Sequence, residues 1–385
     1  MLTHEAVMAS FLPRAVLQDL PAETASLAPR ERVQTALVLF SDIARFSEFG
    51  RRLVDSGAEG VERLPQILNL YLGKQIECIE AAGGDVVKFA GDAIVAVWPI
   101  GAEDRGALAR RVCACALELQ AQIALIGARD PSRRPLEIRV SLGLGELRSA
   151  HVGGHYGRWL FHVSGPGILQ AIAADRLAQP GWIVLPDELA ALARASTQPL
   201  TGELSRLLDL RTTRPPPAPL PAAPVCDLAV MRAYLPSPIL AQLQAGHDEW
   251  LAELRTVTVL FIKLGGLELG RELDLSQRVI HAVQREVHRR EGTINKLSVD
   301  DKGVTVVAAF GLPPLSHRDD AARGVQAALA VDDELRGLGV PVGIGVARGR
   351  TFCGTVGNAS RREYTLIGAS INLAARLMQE ADGEV

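Results

Sequence analysis

Residues 215–224 read PPPAPLPAAP, six prolines in ten, and the chain on one side of this run repeats itself on the other. Proline fixes φ and donates no backbone hydrogen bond, so the run predicts a stiff, extended linker. FLPRAVLQDL at 11–20 returns as YLPSPILAQL at 234–243, and ALVLFSDI at 36–43 returns as VTVLFIKL at 257–264. VVKF at 86–89 matches INKL at 294–297, and IRVSLGLGELRSAHVGG at 138–154 matches VPVGIGVARGRTFCGTVGN at 340–358. Finally VSGPG at 163–167 matches LIGAS at 366–370, by which point the offset has shrunk only from 223 to 203. Five blocks recurring in one order mean a duplicated domain with modest deletions, not chance similarity of apolar strands.

The 385 residues have room for two such domains, each with its own core. The expected boundaries are an N-terminal segment at 1–33, a first domain at 34–210, a Pro-rich linker at 211–230 and a second domain at 231–385. Each copy has the same coarse layout. In the first, a strand (Ala36–Phe40) precedes a helix whose Leu68, Leu72, Ile76 and Ile79 form one stripe. A hairpin follows, then a helix through 104–126, strands at 138–143 and 160–163, and a short helix from Ile168. Strands alternating with amphipathic helices predict an α/β fold, an α+β sandwich of helices packed on a sheet. Neither copy carries GxxxxGK[ST] or a strand-GxGxxG-helix unit, so P-loop and Rossmann readings have no support. The last residues, MQEADGEV, fall where the first copy continues past Gly181 with WIVLPDELAALA. A C-terminally short second domain, or part of a longer chain, is therefore expected.

With 48% apolar residues and a net charge of −3, the chain has no bulk electrostatic reason to seek nucleic acid. No apolar run approaches ~18 residues and no signal peptide is evident, so no membrane partner is expected. Cys78, Cys113, Cys115, Cys226 and Cys353 form no CxxC pair and are odd in number. They read as reduced core cysteines in a cytoplasmic protein.

The stretch VVKFAGDAIVAVW at 86–98 is two apolar strands joined at Ala90-Gly91-Asp92, with Lys88 in the first of them. A turn aspartate and a snorkelling lysine would account for both. Asp42, however, follows the strand ALVLF, and if that strand lies beside the hairpin both carboxylates meet at one sheet edge. Such hard oxygen ligands suit Mg²⁺ or Mn²⁺, and a metal pair there suits in-line displacement at phosphorus. The second copy breaks the pattern: Lys263 replaces Asp42 and SVDDKG replaces AGDA, which leaves Asp300 without its partner.

FSDIARF with GGDVVKFAGDAIVAVW, and REYTLIGASINLAARL with GVARGRTFCGTVG, resemble the two catalytic halves of class III nucleotidyl cyclases. The closer resemblance is to the tandem catalytic domains of the soluble, bicarbonate-responsive adenylyl cyclases. It covers about residues 34–200 and 254–385. Diguanylate cyclases also carry GGD, but there Glu-Phe follows, whereas Gly83-Gly84-Asp85 continues with Val-Val. The resemblance implies ferredoxin-like sheet cores packed head to tail as a pseudo-symmetric pair, so that a monomer holds one intramolecular site.

It implies two divalent cations (Mg²⁺ or Mn²⁺, with Ca²⁺ as an alternative at one site) on Asp42, Asp92 and the Ile43 carbonyl. Backbone amides of Ala44, Arg45, Phe46 and Ser47 would cradle the triphosphate of ATP. Arg139 would bind its outer phosphates, or is simply a solvated strand-end charge. Lys296 and Thr365 match the adenine-reading pair, where guanylyl cyclases carry Glu and a Cys-like residue. Asn372 would orient the ribose and Arg376 would stabilise charge growing on the α-phosphate, one helical turn apart on one face. Read alone, they are a helix-start residue and a surface charge. No side-chain base is obvious. Two other functions remain open: a catalytically inactive nucleotide- or anion-sensing module, and a guanylyl cyclase.

A second, pseudo-symmetric pocket would pair the first half's reader positions with the second half's acid positions. Lys88 mirrors Lys296 there, and Val163 lies beside it. Bicarbonate-responsive relatives hold the anion with a Lys and an Arg, but the Arg position falls on Ile172. Arg176, one turn further, is the substitute candidate. Bicarbonate as a partner therefore hinges on Arg176.

Overall fold

The computed structural model describes residues 3–21, 23–55, 58–128, 136–211, 226–246, 252–267, 272–300, 303–381 and 385. The expected proline linker at 215–224 lies outside the described residues. Two short helices, α1 (His4–Ser10) and α2 (Arg14–Asp19), come first. The first half then runs β1 (Arg30–Ile43), α3 (Phe46–Asp55), α4 (Ala58–Ala81), β2 (Asp85–Ala90), β3 (Ala93–Pro99), α5 (Arg105–Ala128), β4 (Ile138–Gly153), β5 (Trp159–Ser164) and α6 (Pro166–Asp175). It closes with β6 (Ile183–Pro186), α7 (Asp187–Ala193), β7 (Ala195–Pro199) and β8 (Leu204–Leu210). Helices α8 (Leu228–Arg232) and α9 (Ser237–Gln244) introduce the second half. That half runs β9 (Ala252–Leu264), α10 (Leu273–Arg289), β10 (Thr293–Asp300), β11 (Gly303–Phe310), α11 (Asp320–Gly337), β12 (Val342–Gly357), β13 (Arg362–Ile367) and α12 (Ala369–Glu380).

The two sheets share one order. It is β2-β3-β1-β4, with β5 on β4, in the first, and β10-β11-β9-β12-β13 in the second. Strands β6, β8 and β7 extend only the first sheet, starting from a parallel pairing of β6 with β4. Leu68, Leu72, Ile76 and Ile79 of α4 are all fully buried, as their spacing requires. In α10 the same role falls to Val279, Ile280, Val283 and Val287. Helix α5 is long and apolar enough by length and composition to cross a membrane, yet Leu108, Val112, Leu119 and Ile123 are buried in the first core.

Glycines set how closely helices approach the sheets. A Cβ on Gly143 or Gly145 of β4 would collide with the backbone of Gly167 in α6. Gly343 and Gly345 of β12 face α12 in the same way, through the carbonyls of Ala381 and Ala374. Two more glycines mark the pseudo-symmetry between halves. Gly153 ends β4 at φ 110° and Gly357 ends β12 at φ 115°. The Gly153 amide donates to Gln277 Oε1 of α10 at 2.8 Å, and the Gly357 amide donates to Asn69 Oδ1 of α4 at 3.1 Å. Each half thus clamps the other's strand end with a side-chain amide, a head-to-tail arrangement.

The segment before β1 does not stand apart. Val7, Met8, Leu12, Val16 and Leu17 share a core with Leu235, Ile239, Val257, Val259 and Leu366, on the second half's sheet. Strand β1 already begins at Arg30, ahead of the expected domain start.

Candidate active site

Register places the acids. Strand β1 pairs with β4 so that Asp42 stands opposite Arg139, and with β3 up to the pair Ser41–Ile94. Gly91, at φ 70°, makes the tight turn that leaves Asp92 just ahead of β3. Asp92 and Asp42 lie close enough for each carboxylate to feel the other's charge. Loss of solvent first, and the charge of Asp42 second, push Asp92 well above the usual carboxylate range. Two carboxyls this close require a proton or a cation between them. The Arg139 guanidinium answers part of that need by donating to Asp42. It also stands 3.6 Å from Asp175, the last residue of α6, whose carboxyl burial pushes up to about 6.

The donor set fits a hard divalent cation: two adjoining carboxylates at the end of a strand, with Ile43 buried next in line. The expected phosphate cradle is narrower than its sequence suggested. The Ala44 amide already donates to the Glu137 carbonyl at 2.8 Å, so the corner consists of Arg45, Phe46 and Ser47. Arg45 there adopts φ 61°, an unusual conformation for a residue with a side chain, just where α3 begins.

From the second half, Lys296 reaches this hairpin. A β-bulge between Ile294 and Lys296 re-aims the strand, and an identical irregularity lies between Val86 and Lys88. Lys296 Nζ ion-pairs with Glu363 at 2.5 Å and donates to the carbonyl of Phe89, three residues before Asp92. The Phe89 amide in turn donates to Glu363 at 3.2 Å. Thr365 is buried two residues further along β13, hence on the same face as Glu363. Asn372 and Arg376 lie on the exposed side of α12.

The chain resembles known proteins along nearly its whole length. The chain is 28% identical over 415 residues to "Adenylate cyclase type 10" of Rattus norvegicus, covering 93% of this chain and 24% of that protein. The Homo sapiens protein of the same name is 27% identical over 400 residues, covering 91% and 24%. A solved structure, "Crystal structure of a Class III adenylyl cyclase-like ATP-binding protein from Pseudomonas aeruginosa", superposes with a TM-score of 0.62 at 12% identity. It covers 99% of this chain and 90% of that one. In sequence the chain resembles these adenylate cyclases, and its fold is that of class III cyclase domains. It spans about a quarter of the length of these curated relatives. No family model matches it.

A cavity of about 130 Å³ lies where the halves meet, lined by Lys88 of the first half and by Lys296, Arg361 and Glu363 of the second. Lys88 and Val163 line it, as expected, but Arg176 does not. Arg176 lies beyond the end of α6 and is exposed, while Ile172 packs with Val87 and Val163 in an apolar cluster. One helical turn carries Arg176 past the wall rather than into it. His162 also lines the cavity, and burial, then the charge of Lys88, pushes its pKa down to about 3. The roof is supplied by Phe11, Leu12, Pro13 and Val16 from the N-terminal segment, and by Tyr234 and Pro236. These are the two copies of the repeated LP motif.

Three residues that sequence reasoning passed over matter here. Glu363 holds Lys296, and Asp175 stands beside Arg139. Arg361 is buried, donating from Nε to the Val86 carbonyl at 2.8 Å and from Nη1 to the Phe11 carbonyl at 3.2 Å. Only Glu363 left a readable trace, standing two residues before Thr365 in REYTLIG.

Proposed function

We propose that the chain converts ATP to 3′,5′-cyclic AMP and pyrophosphate. The observation that carries this reading is the double link of Lys296 and Glu363 to Phe89, in the hairpin that presents Asp92. This link joins the lysine that would read adenine, from one half, to the hairpin of the other half that carries Asp92, which supports the reading. Divalent cations held by Asp42 and Asp92 would supply charge neutralisation on the triphosphate and a lowered pKa for the ribose 3′-hydroxyl.

Lys296 donates to a ring nitrogen of adenine once it leaves the Phe89 carbonyl, and Thr365 accepts from the 6-amino group. Asn372 orients the ribose. The 3′-oxygen then forms its bond to the α-phosphorus as the bond to the pyrophosphate oxygen breaks in line, and the hydroxyl proton passes to a phosphate oxygen or water. Arg376 stabilises the charge that grows on the α-phosphate. Arg45 to Ser47, at the start of α3, offer amides to the departing phosphates.

The test is purified protein with ATP or GTP and Mg²⁺ or Mn²⁺, with the product identified by mass. Cyclic AMP formation that Asp92→Ala abolishes supports the reading. Cyclic GMP as the main product would move the chain to the guanylyl class, and no cyclic product from either nucleotide would favour a sensing module.

A further inference from the structure

We propose that Asp175 is a positioning residue for the acid pair: it receives the Arg139 guanidinium when a divalent cation takes Asp42. Arg139 is then a place-holding cation, not a permanent partner of Asp42. This rests on the cyclase reading of the site and adds to it a residue that reading does not use.

Three observations carry it. Arg139 Nη2 donates to Asp42 Oδ2, an oxygen that a bound cation would need. Asp175 Oδ2 stands 3.6 Å from the same Nη2, while Asp175 Oδ1 and Arg139 Nε are buried without hydrogen-bond partners. A leftover acceptor and a leftover donor thus belong to the two members of one loose ion pair. A shift of the guanidinium toward Asp175 gives both a partner.

The third observation is the chain's own internal control. In the second half Lys263 takes the place of Asp42, Gly343 stands opposite it, and Met378 falls where Asp175 would be. The acid, the cation and the second acid disappear together. A half that holds no metal needs neither a place-holder nor somewhere to move it.

The experiment is Mn²⁺ binding to the full chain without nucleotide at pH 8, read from the EPR signal of free Mn²⁺. The proteins are the parent, Asp92→Ala, Asp175→Asn, Asp175→Glu, Arg139→Gln and the Asp175→Asn/Arg139→Gln pair. Asp175→Asn should weaken binding about five- to tenfold, because Arg139 then has only Asp42 to hold. Asp175→Glu should stay within about twofold of the parent, and Asp175→Asn should add less than about twofold once Arg139 is gone. Thermal midpoints without metal check that each variant is folded, and Asp175→Ser, with the same expected loss, carries the comparison if the Asn variant is not.

Parent-like affinity in Asp175→Asn would overturn the proposal. So would an undiminished loss in the Arg139→Gln background, which makes Asp175 a remote charge only. Binding that Asp92→Ala removes but Asp175→Asn leaves untouched sinks this proposal alone. Absence of any Asp92-dependent Mn²⁺ binding sinks the metal reading and this proposal with it.

Discussion

The first half ends β1 with Asp42 opposite Arg139; the second ends β9 with Lys263 opposite Gly343. Backbone features match closely between them: the strand order, the bulge before Lys88 and Lys296, and the left-handed glycines at 153 and 357. Apart from strands β6 to β8, which extend the first sheet alone, the difference that bears on the site lies in side chains at the strand ends. Duplication thus preserved the shared sheet order, bulges and glycine strand ends, while the Asp42–Arg139 pairing stands in one half only. A fold-level constraint involves many backbone hydrogen bonds at once, whereas a carboxylate at a strand end can be exchanged without disturbing the ladder.

The comparison breaks most severely if the acids are removed. Asp42→Lys makes the first half resemble the second, and either it or Asp92→Ala should lower turnover by about a thousandfold or more. The thermal midpoint of Asp92→Ala should stay equal or rise, since a carboxyl held against another carboxyl is relieved. Turnover within a few-fold of the parent would end the metal assignment.

Division of labour also predicts one working site per chain, built between its own halves. Activity per chain should not depend on protein concentration. A mixture of Asp42→Ala and Arg376→Ala chains should remain inactive, whereas recovered activity would show sites shared between chains.

A smaller effect separates the halves by pH. Asp175 of the first half has its pKa raised to about 6, so its ionisation lowers stability as pH rises from about 4 to about 6. His288 in α10 of the second half has its pKa pushed down to about 4, by burial first and then by His155 and Arg158. Its contribution to stability is present above pH 6.5 and is lost as pH falls toward 4. Thermal unfolding across pH 4–8 reads both. Asp175→Asn should gain over the parent above pH 6, and His288→Leu should gain over the parent below pH 6, each by a few degrees. The reverse order would show that other groups dominate.

The smallest effect concerns the cavity. Lys88 lines it beside Lys296 and Arg361, which Glu363 and backbone carbonyls already engage; with Ile172 in an apolar cluster and Arg176 outside, the Lys–Arg pair expected around an anion lacks its arginine. That weakens binding by about one to two orders of magnitude. Stimulation by bicarbonate at fixed pH and ionic strength should be weak or absent in the parent, unchanged in Arg176→Ala and larger in Ile172→Arg. Strong stimulation of the parent would refute the argument from Ile172.

The sequence by itself determined the duplication, the α/β layout, the helix stripes and the asymmetry of Asp42 and Lys263. All of these are local patterns: periodicities, a recurring order of blocks, a residue type at a strand end. Only the tertiary structure decided the rest. That Arg139 faces Asp42 depends on the β1–β4 register, set between segments nearly a hundred residues apart, and a one-residue slip would turn both side chains away. That Arg176 misses the cavity is a matter of where α6 ends. The roofing of that cavity by Phe11 to Val16 brings together residues more than 200 positions apart in sequence, and no local pattern encodes such a contact. Chain-local signals report what a segment can become, while register and long-range packing choose what it meets.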